Sequence, residues 1–110
     1  MKITTRDVES VAVVDIEGNL DTNTSPEAQA HLDQLLEGGT SKILVNCQTL
    51  DYISSAGLRV LLATVKRLTA GGGSLRICGL NETVQEVFEI SGFSTIFSVF
   101  GSEPEALEGF

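Results

Sequence analysis

Residue types that bind metals or form disulfides are scarce in this chain. Among its 110 residues there are two cysteines, one histidine and no tryptophan. A zinc site or a disulfide framework needs more partners than Cys47, Cys78 and His31 supply. Each cysteine ends a short β-like run, where a reduced thiol behaves as a small buried apolar group. The sequence therefore predicts no metal site and no other cofactor, and it favours a position on a helix surface for His31.

Long apolar runs and basic residues are scarce as well. No run approaches the length of a membrane span, and the N-terminal stretch MKITTRDVES lacks the apolar core of a secretion signal. We therefore expect a cytoplasmic protein that is not inserted into a membrane. Seven basic residues stand against fifteen acidic ones, for a formal net charge of −8. This balance disfavours nucleic acid as a partner; it either serves solubility or favours a partner with a basic surface.

What the chain does contain is an alternation of strand and helix patterns. At 42% hydrophobic residues it can bury one core and not two, so residues 1–110 are expected to form a single domain. The predicted strands are 2–8, 11–18, 42–47, 74–79 and 95–100, and the predicted helices are 26–37, 56–70, 82–91 and 104–107. The order β-β-α-β-α-β-α-β-α predicts an α/β fold: a mixed, mainly parallel sheet with an N-terminal hairpin and four helices packed against it.

Two of the predicted helices carry clear sequence signals. The first has Thr24 or Ser25 as its N-cap, Pro26 at the first helical position, and Gly38 with Gly39 as its stop. In the second, apolar residues recur at helical spacing and predict one buried face; they are Leu58, Leu61, Leu62, Val65 and Leu68. Arg59 lies off this stripe, as a solvated residue or as an ion-pairing contact for a partner.

The stretch DYISSAGLR at 51–59 lies where a predicted strand leads into the second helix. In parallel sheets functional groups collect at such junctions, because the loop and the helix N-terminus are exposed together. A serine oxygen at this point can cap the free amides of the helix. The positive end of the helix would also tolerate a phosphoserine, for which Ala56 and Gly57 would leave room.

Catalysis by Ser54 or Ser55 is the third role that the sequence allows. A nucleophilic serine needs a histidine base, and His31 has no evident reason to approach. The surrounding residues do not match G-x-S-x-G, and no phosphate-binding glycine loop is present. We therefore expect that the protein is not an enzyme.

Three longer stretches resemble a known family. GNLDTNTSPE (18–27), ILVNCQTLDYISSAGLRVLL (43–62) and GGGSLRICGLNETVQEVFEISGFSTIF (71–97) resemble the STAS domain of bacterial anti-sigma-factor antagonists. The resemblance covers essentially the whole chain in the same order. Its most specific part is the serine loop with the leucine helix after it, supported by the turn from Gly18 to Asp21 and by the sequence Ser91, Gly92, Phe93 that ends the third helix.

The resemblance implies a partner switch. In that family the unphosphorylated antagonist binds an anti-sigma factor that is also a GHKL-type serine kinase; phosphorylation ends the binding, and a PPM-type phosphatase restores it. The phosphorylated serine matches Ser55, and the acidic residue of the neighbouring loop matches Asp21, which the sequence equally allows as a turn residue. The implied partner-binding residues are Asp21, Thr22, Asn23, Ser54, Ser55, Ala56, Gly57 and Arg59. A monomer is expected, with weak dimerisation as the alternative.

One position departs from the family pattern. The residue before the acceptor, often aspartate in the family, is Ser54, which becomes a second candidate for phosphorylation. A phosphate here would add charge beside Asp21 and Asp51, so repulsion or desolvation could end binding without a large conformational change. Two alternatives remain: a scaffold module of a stress-sensing or lipid-transport complex whose serine is never phosphorylated, and a small hydrolase that uses Ser55.

Overall fold

The chain forms a six-stranded sheet with helices on both faces. The computed structural model describes residues 1–92 and 95–110. The strands are β1 (Lys2–Val8), β2 (Val11–Leu20), β3 (Lys42–Asn46), β4 (Leu50–Ile53), β5 (Ser74–Cys78) and β6 (Ser98–Phe100). The helices are α1 (Ser25–Glu37), α2 (Ser55–Ala70), α3 (Glu82–Ile90) and α4 (Glu103–Leu107).

Strand pairing follows the predicted topology. The strand order is β1-β2-β3-β5-β6, and β4 pairs with the C-terminal end of β2. β1 runs antiparallel to β2 as a hairpin, and the other pairs are parallel. The predicted fold class is therefore confirmed. Of the residues that end the third helix, Phe93 lies outside the described part of the chain.

Alternating side chains of the central strands fill two cores of unequal size. In β3, Ile43 and Val45 are buried in the larger core with residues of α1, α2 and α3, whereas Leu44 belongs to the smaller core with α4. A strand that is buried on both faces needs apolar residues at successive positions. This is why the run KILVN shows no alternation of polar and apolar residues.

The helices bury the faces that their sequences predict. In α2, Leu58, Leu61 and Leu68 are buried, and Leu62 and Val65 pack partly buried against the same core. The glycine stops also agree, since Gly38 and Gly71 are the C-caps of α1 and α2. Among the described residues, none of the helices combines the length and the apolar character of a membrane span.

Two strands differ markedly from the prediction, and β2 continues two residues beyond its predicted end at Gly18, to Leu20. β4 is an additional strand of four residues that the sequence pattern does not reveal, because Asp51 and Tyr52 in its middle are both exposed. β6 begins at Ser98, later than predicted. Phe97 is instead buried in the larger core, where its ring packs edge-on against Phe88 with centroids 5.2 Å apart.

The hydrogen bonds at the start of α1 differ from those that the sequence predicts. Thr24 is the N-cap residue and Pro26 lies in the first turn, but the Thr24 side chain makes no cap bond to the helix. Its hydroxyl donates to the carbonyl of Asn19 at 2.8 Å. Ser25, the other predicted cap, is the first helical residue, and its hydroxyl donates to the carbonyl of Asp21. Both hydroxyls therefore organise the loop before the helix.

The scarce thiols and the histidine have packing roles. Cys47 and Cys78 are free and each 1% exposed, and burial raises the pKa of Cys47 to about 12 and that of Cys78 to about 11. The thiols are therefore protonated apolar groups, as predicted. His31 is half-buried on α1, and its Nε2 lies 2.6 Å from Oγ1 of Thr5, which ties the helix to the edge strand β1.

Helix α4 has five residues and is held at its N-terminal end by polar contacts. Arg6 of β1 donates to Asp15 at 2.6 Å and to Glu103 at 2.5 Å. Asn46 of β3 donates to the same oxygen of Glu103 at 3.0 Å. The pKa of the Glu103 carboxyl lies below its usual range, mainly because of the hydrogen bond from Arg6. An isolated helix this short is not stable in water, so these contacts fix its position.

We expect Glu103→Gln to flatten the acid dependence of stability. Because the folded-state pKa of Glu103 is lowered, its ionised form contributes stability that is present above the unfolded pKa, 4.5, and is lost as pH falls through the folded value. Urea unfolding at about pH 6 and about pH 3 measures this loss. The wild type should lose more free energy of unfolding than Glu103→Gln, while Glu105→Gln, at an exposed position of the same helix, should behave as wild type. Equal losses in all three proteins would contradict this account.

Candidate functional site

Two loops emerge side by side at the carboxyl end of the sheet. β2 and β4 are parallel neighbours in which Leu20 pairs with Ile53. The N–H of Ser54 donates to the carbonyl of Leu20 at 2.9 Å, which fixes the start of α2 to the end of β2. The segments that follow these strands therefore share one surface. We call residues 21–24 and 51–59 together the serine-loop surface.

The two serines have different environments although they are adjacent. Ser54 is the N-cap of α2, and its Oγ accepts a hydrogen bond from the N–H of Gly57 at 3.3 Å. Ser55 is the first helical residue and is exposed. Within residues 1–92 and 95–110, no acceptor pairs with the N–H groups of Ser55 and Ala56, as expected for a first helical turn. The predicted capping role is confirmed for Ser54, whereas Ser55 is exposed and its side chain makes no hydrogen bond to any described residue.

Asp21 organises the neighbouring loop. Its Oδ1 accepts hydrogen bonds from the N–H of Asn23 at 2.9 Å and from the N–H of Thr24 at 3.1 Å. An aspartate that binds backbone two residues further on forms an Asx turn. Thr22 and Asn23 are exposed at the tip of this turn. The turn role of Asp21 is therefore confirmed, and it leaves two polar side chains presented to solvent.

Gly57 has a different role from the one expected. The sequence suggests that Gly57 leaves room for a phosphate, and the family resemblance implies that it contacts a partner, but Gly57 is buried. A Cβ added there would lie 2.7 Å from the carbonyl oxygen of Leu20 and 2.8 Å from Cγ1 of Ile53. Glycine is required because only a residue without a side chain allows this approach. Gly57 therefore lets the first turn of α2 pack closely on β2 and β4, and it adds no side chain to the serine-loop surface.

Three exposed side chains flank the serines. Arg59 lies one turn after Ser55, and no ion pair among the described residues involves it. Asp51 and Tyr52 are exposed on β4, with Tyr52 at 44%. Tyrosine is enriched at the energetic centres of protein interfaces. Sequence reasoning misses Tyr52 because a strand this short has no alternation that separates an exposed aromatic residue from a core one.

Asn81 links the serine-loop surface to α3. Its Oδ1 accepts from the N–H of Val84 at 2.7 Å and caps the helix. Its Nδ2 donates to the carbonyls of Leu50 at 3.0 Å and Asp51 at 3.4 Å, both in β4. An asparagine before a helical pattern is a recognisable cap signal. The bridge to β4 has no signal in the sequence, since it joins residues 30 or 31 positions apart.

The histidine lies away from the two serines, beside the edge strand β1. His31 is the one histidine of the sequence, and its Nε2 is engaged with Thr5 of β1 and not with either serine. The geometry therefore gives Ser55 no histidine base in this arrangement. What it presents is an exposed hydroxyl at the positive end of a sixteen-residue helix, beside an ordered acidic loop.

Sequence comparison relates this chain to regulatory proteins of bacteria. The family model of the STAS domain matches residues 2–106. The Bordetella bronchiseptica protein BtrV, provisionally named an anti-sigma factor antagonist, is 36% identical over 110 residues, which are 100% of this chain and 95% of BtrV. The anti-sigma-B factor antagonist of Staphylococcus aureus is 33% identical over 86 residues, which are 78% of this chain and 80% of that protein.

Solved structures share the fold. A Thermotoga maritima protein, provisionally named an anti-sigma factor antagonist, superposes with a TM-score of 0.91 at 21% identity, covering 96% of this chain and 92% of that one. The Bacillus cell fate determinant SpoIIAA in its phosphorylated form gives a TM-score of 0.75 at 21% identity, covering 97% of each chain. Unphosphorylated SpoIIAA gives 0.74 at 19% identity, covering 94% and 92%. At these identities the likeness establishes the fold.

We expect Ser54→Ala and Ser55→Ala to differ in stability. Ser54→Ala removes the cap bond to the N–H of Gly57 and should lower the free energy of unfolding by about 1 kcal/mol. Ser55→Ala removes an exposed hydroxyl and should change it by less than about 0.5 kcal/mol. Urea unfolding of the two variants measures the difference. A larger loss for Ser55→Ala would overturn the assignment of the cap.

Gly57→Ala should destabilise the fold by about 1–3 kcal/mol, because the new methyl group would overlap the carbonyl of Leu20. Gly38→Ala is the matched control: φ at Gly38 is −77°, and an added Cβ would lie 3.4 Å from its nearest neighbour, the carbonyl oxygen of Gln34. Urea midpoints should fall clearly for Gly57→Ala and little for Gly38→Ala. If both fall equally, the close approach is not the cause.

Proposed function

The chain belongs to the STAS domain family, and from this we propose that it is an anti-sigma-factor antagonist whose binding is switched by phosphorylation of Ser55. The observation that carries the proposal is the exposed hydroxyl of Ser55 on the first turn of α2, beside the turn that Asp21 organises. The names of BtrV and of the Staphylococcus aureus relative support the antagonist role. SpoIIAA, which shares the fold, has been solved in phosphorylated and unphosphorylated forms.

Ser55 is the better acceptor of the two serines. The Oγ of Ser54 accepts a hydrogen bond from the N–H of Gly57, and a kinase would have to break that bond to use Ser54. Ser55 is exposed, and the N–H groups of Ser55 and Ala56 have no acceptor among the described residues. A kinase can therefore reach Ser55 without unfolding the helix. Ser54 remains the second candidate.

The proposed contact area is the exposed part of the serine-loop surface. It consists of the exposed Thr22, Asn23, Ser55 and Arg59 and the partly buried Asp21 and Ala56, to which the structure adds the exposed Tyr52. Ser54 and Gly57 hold this area in place through their bonds and close contacts with α2 and β2. Because the chain carries a net charge of −8, a partner with a basic contact surface is favoured.

Phosphorylation is proposed to act through charge. A phosphoserine at position 55 carries about −2 near neutral pH and would add to the charges of Asp21 and Asp51 on the same surface. Arg59 lies four residues further along the helix, where side chains share a face, so the phosphate can also engage the guanidinium that a partner would otherwise contact. Both effects weaken association, and neither requires the domain to refold.

The proposed partners are a GHKL-type anti-sigma factor with serine kinase activity and a PPM-type phosphatase, both acting on this non-enzymatic protein in the cytoplasm. The experiment uses wild type and Ser55→Asp as baits in a native lysate with ADP, followed by mass spectrometry. Wild type should retain a GHKL-type kinase at least about tenfold better than Ser55→Asp, equivalent to about 1.4 kcal/mol. Incubation with ATP should place phosphate on Ser55.

Ser74→Asp is the matched control for this experiment. Ser74 is exposed at the start of β5, at the amino end of the strands and so at the opposite end of the sheet from the first turn of α2, and the variant adds the same charge there. It should retain the kinase as well as wild type does. If wild type and Ser55→Asp retain the same partners and Ser55 stays unmodified with ATP, the switch proposal fails and the scaffold alternative is favoured. Ester hydrolysis that is abolished in Ser55→Ala would favour the hydrolase.

A further inference from the structure

The side chain of Asn81 makes hydrogen bonds to two elements at once. Its Oδ1 accepts from Val84 in the first turn of α3, and its Nδ2 donates to the carbonyls of Leu50 and Asp51 in β4. An N-cap needs only the acceptor oxygen, which serine, threonine or aspartate would also supply. The amide is therefore used for something beyond capping, because only its NH₂ group can donate to β4.

β4 is a strand that needs such a second attachment. It has four residues, lies off the main strand path, and pairs with β2 alone among the described strands. The pairing is irregular, since the register shifts between Gly18 and Asn19. A short strand with one irregular neighbour has few bonds to hold it. Besides the burial of Leu50 and Ile53, the bonds from Asn81 to two of its carbonyls therefore attach β4 to a second element.

The backbone leads directly from these carbonyls to the serines. After Asp51 come the exposed Tyr52 and the buried Ile53, and then Ser54, whose N–H binds Leu20 and whose Oγ caps α2. A shift of β4 would therefore move the cap and the helix start together. We infer that Asn81 is a positioning residue for Ser55: from α3 it holds β4 and thereby fixes the loop that presents the serine. Its effect on phosphorylation rests on the proposed function; its effect on the loop does not.

Two substitutions separate the bridge from the cap. Asn81→Asp keeps an acceptor for Val84 but has no NH₂ group to donate to Leu50 and Asp51. Asn81→Ser also keeps a capping oxygen and loses the bridge, without the added charge. Ser102→Ala is the control, because it removes the N-cap bond of α4, at Glu105, and leaves β4 untouched.

The first measurement is hydrogen exchange of the purified chain. In both Asn81 variants the amides of Ser54, Gly57 and Leu58 should exchange about three- to tenfold faster than in wild type. This is the effect of about one net hydrogen bond on local opening, since the contact to Asp51 is long at 3.4 Å and adds little to the contact to Leu50. Ser102→Ala should leave these amides unchanged. If these amides exchange in both Asn81 variants at the same rates as in wild type, the inference is overturned.

The second measurement is phosphorylation of Ser55 by the kinase that wild-type bait retains. Both Asn81 variants should be phosphorylated about three- to tenfold more slowly, and Ser102→Ala at the wild-type rate. Faster loop exchange with an unchanged phosphorylation rate would also overturn the positioning role. If wild type retains no kinase, the proposed function fails, whereas hydrogen exchange still decides whether Asn81 holds the loop.

Discussion

The close approach of α2 to the end of β2 is the constraint on which the functional end of the molecule depends. Gly57 has no side chain, so the first turn of α2 can rest on the carbonyl of Leu20. The N–H of Ser54 binds the same carbonyl, and the Oγ of Ser54 binds back to Gly57. Two residues thus join the helix to the strand, and the loop that begins at Asp21 is placed beside the serines as a consequence.

The rest of the sheet explains why the surface lies at this end. At the amino end of the parallel strands, glycines connect helix to strand: Gly39 and Gly72 adopt φ of +88° and +84° in tight turns. At the carboxyl end, strands lead into helices through loops that carry aspartate, serine and asparagine. Side chains that present oxygen atoms therefore collect where the helix N-termini also point, which is the usual position of sites in α/β sheets.

Local signals explain which parts of this arrangement could be predicted. The leucine spacing of α2, the glycine stops and the serine cap depend on neighbouring residues, and each appears in the structure where the sequence places it. β4 could not be predicted because its existence depends on pairing with β2, some thirty residues earlier, and not on its own pattern. The bridge from Asn81 and the exposure of Tyr52 both follow from β4, so they were missed with it.

The two serines look equivalent in the sequence, but the structure gives them different environments, and under the proposed switch they would have different tasks. Ser54 must keep its oxygen on Gly57, because the helix start depends on it. In the part of the chain that the structure describes, the side chain of Ser55 makes no hydrogen bond, yet it lies at the helix end where a negative charge is favoured. In the free protein a phosphate on Ser55 would be stabilised by that helix end and by water. At an interface the same phosphate would lose its water beside Asp21 and Asp51. A modification that the fold tolerates and the complex does not is what a reversible binding switch requires.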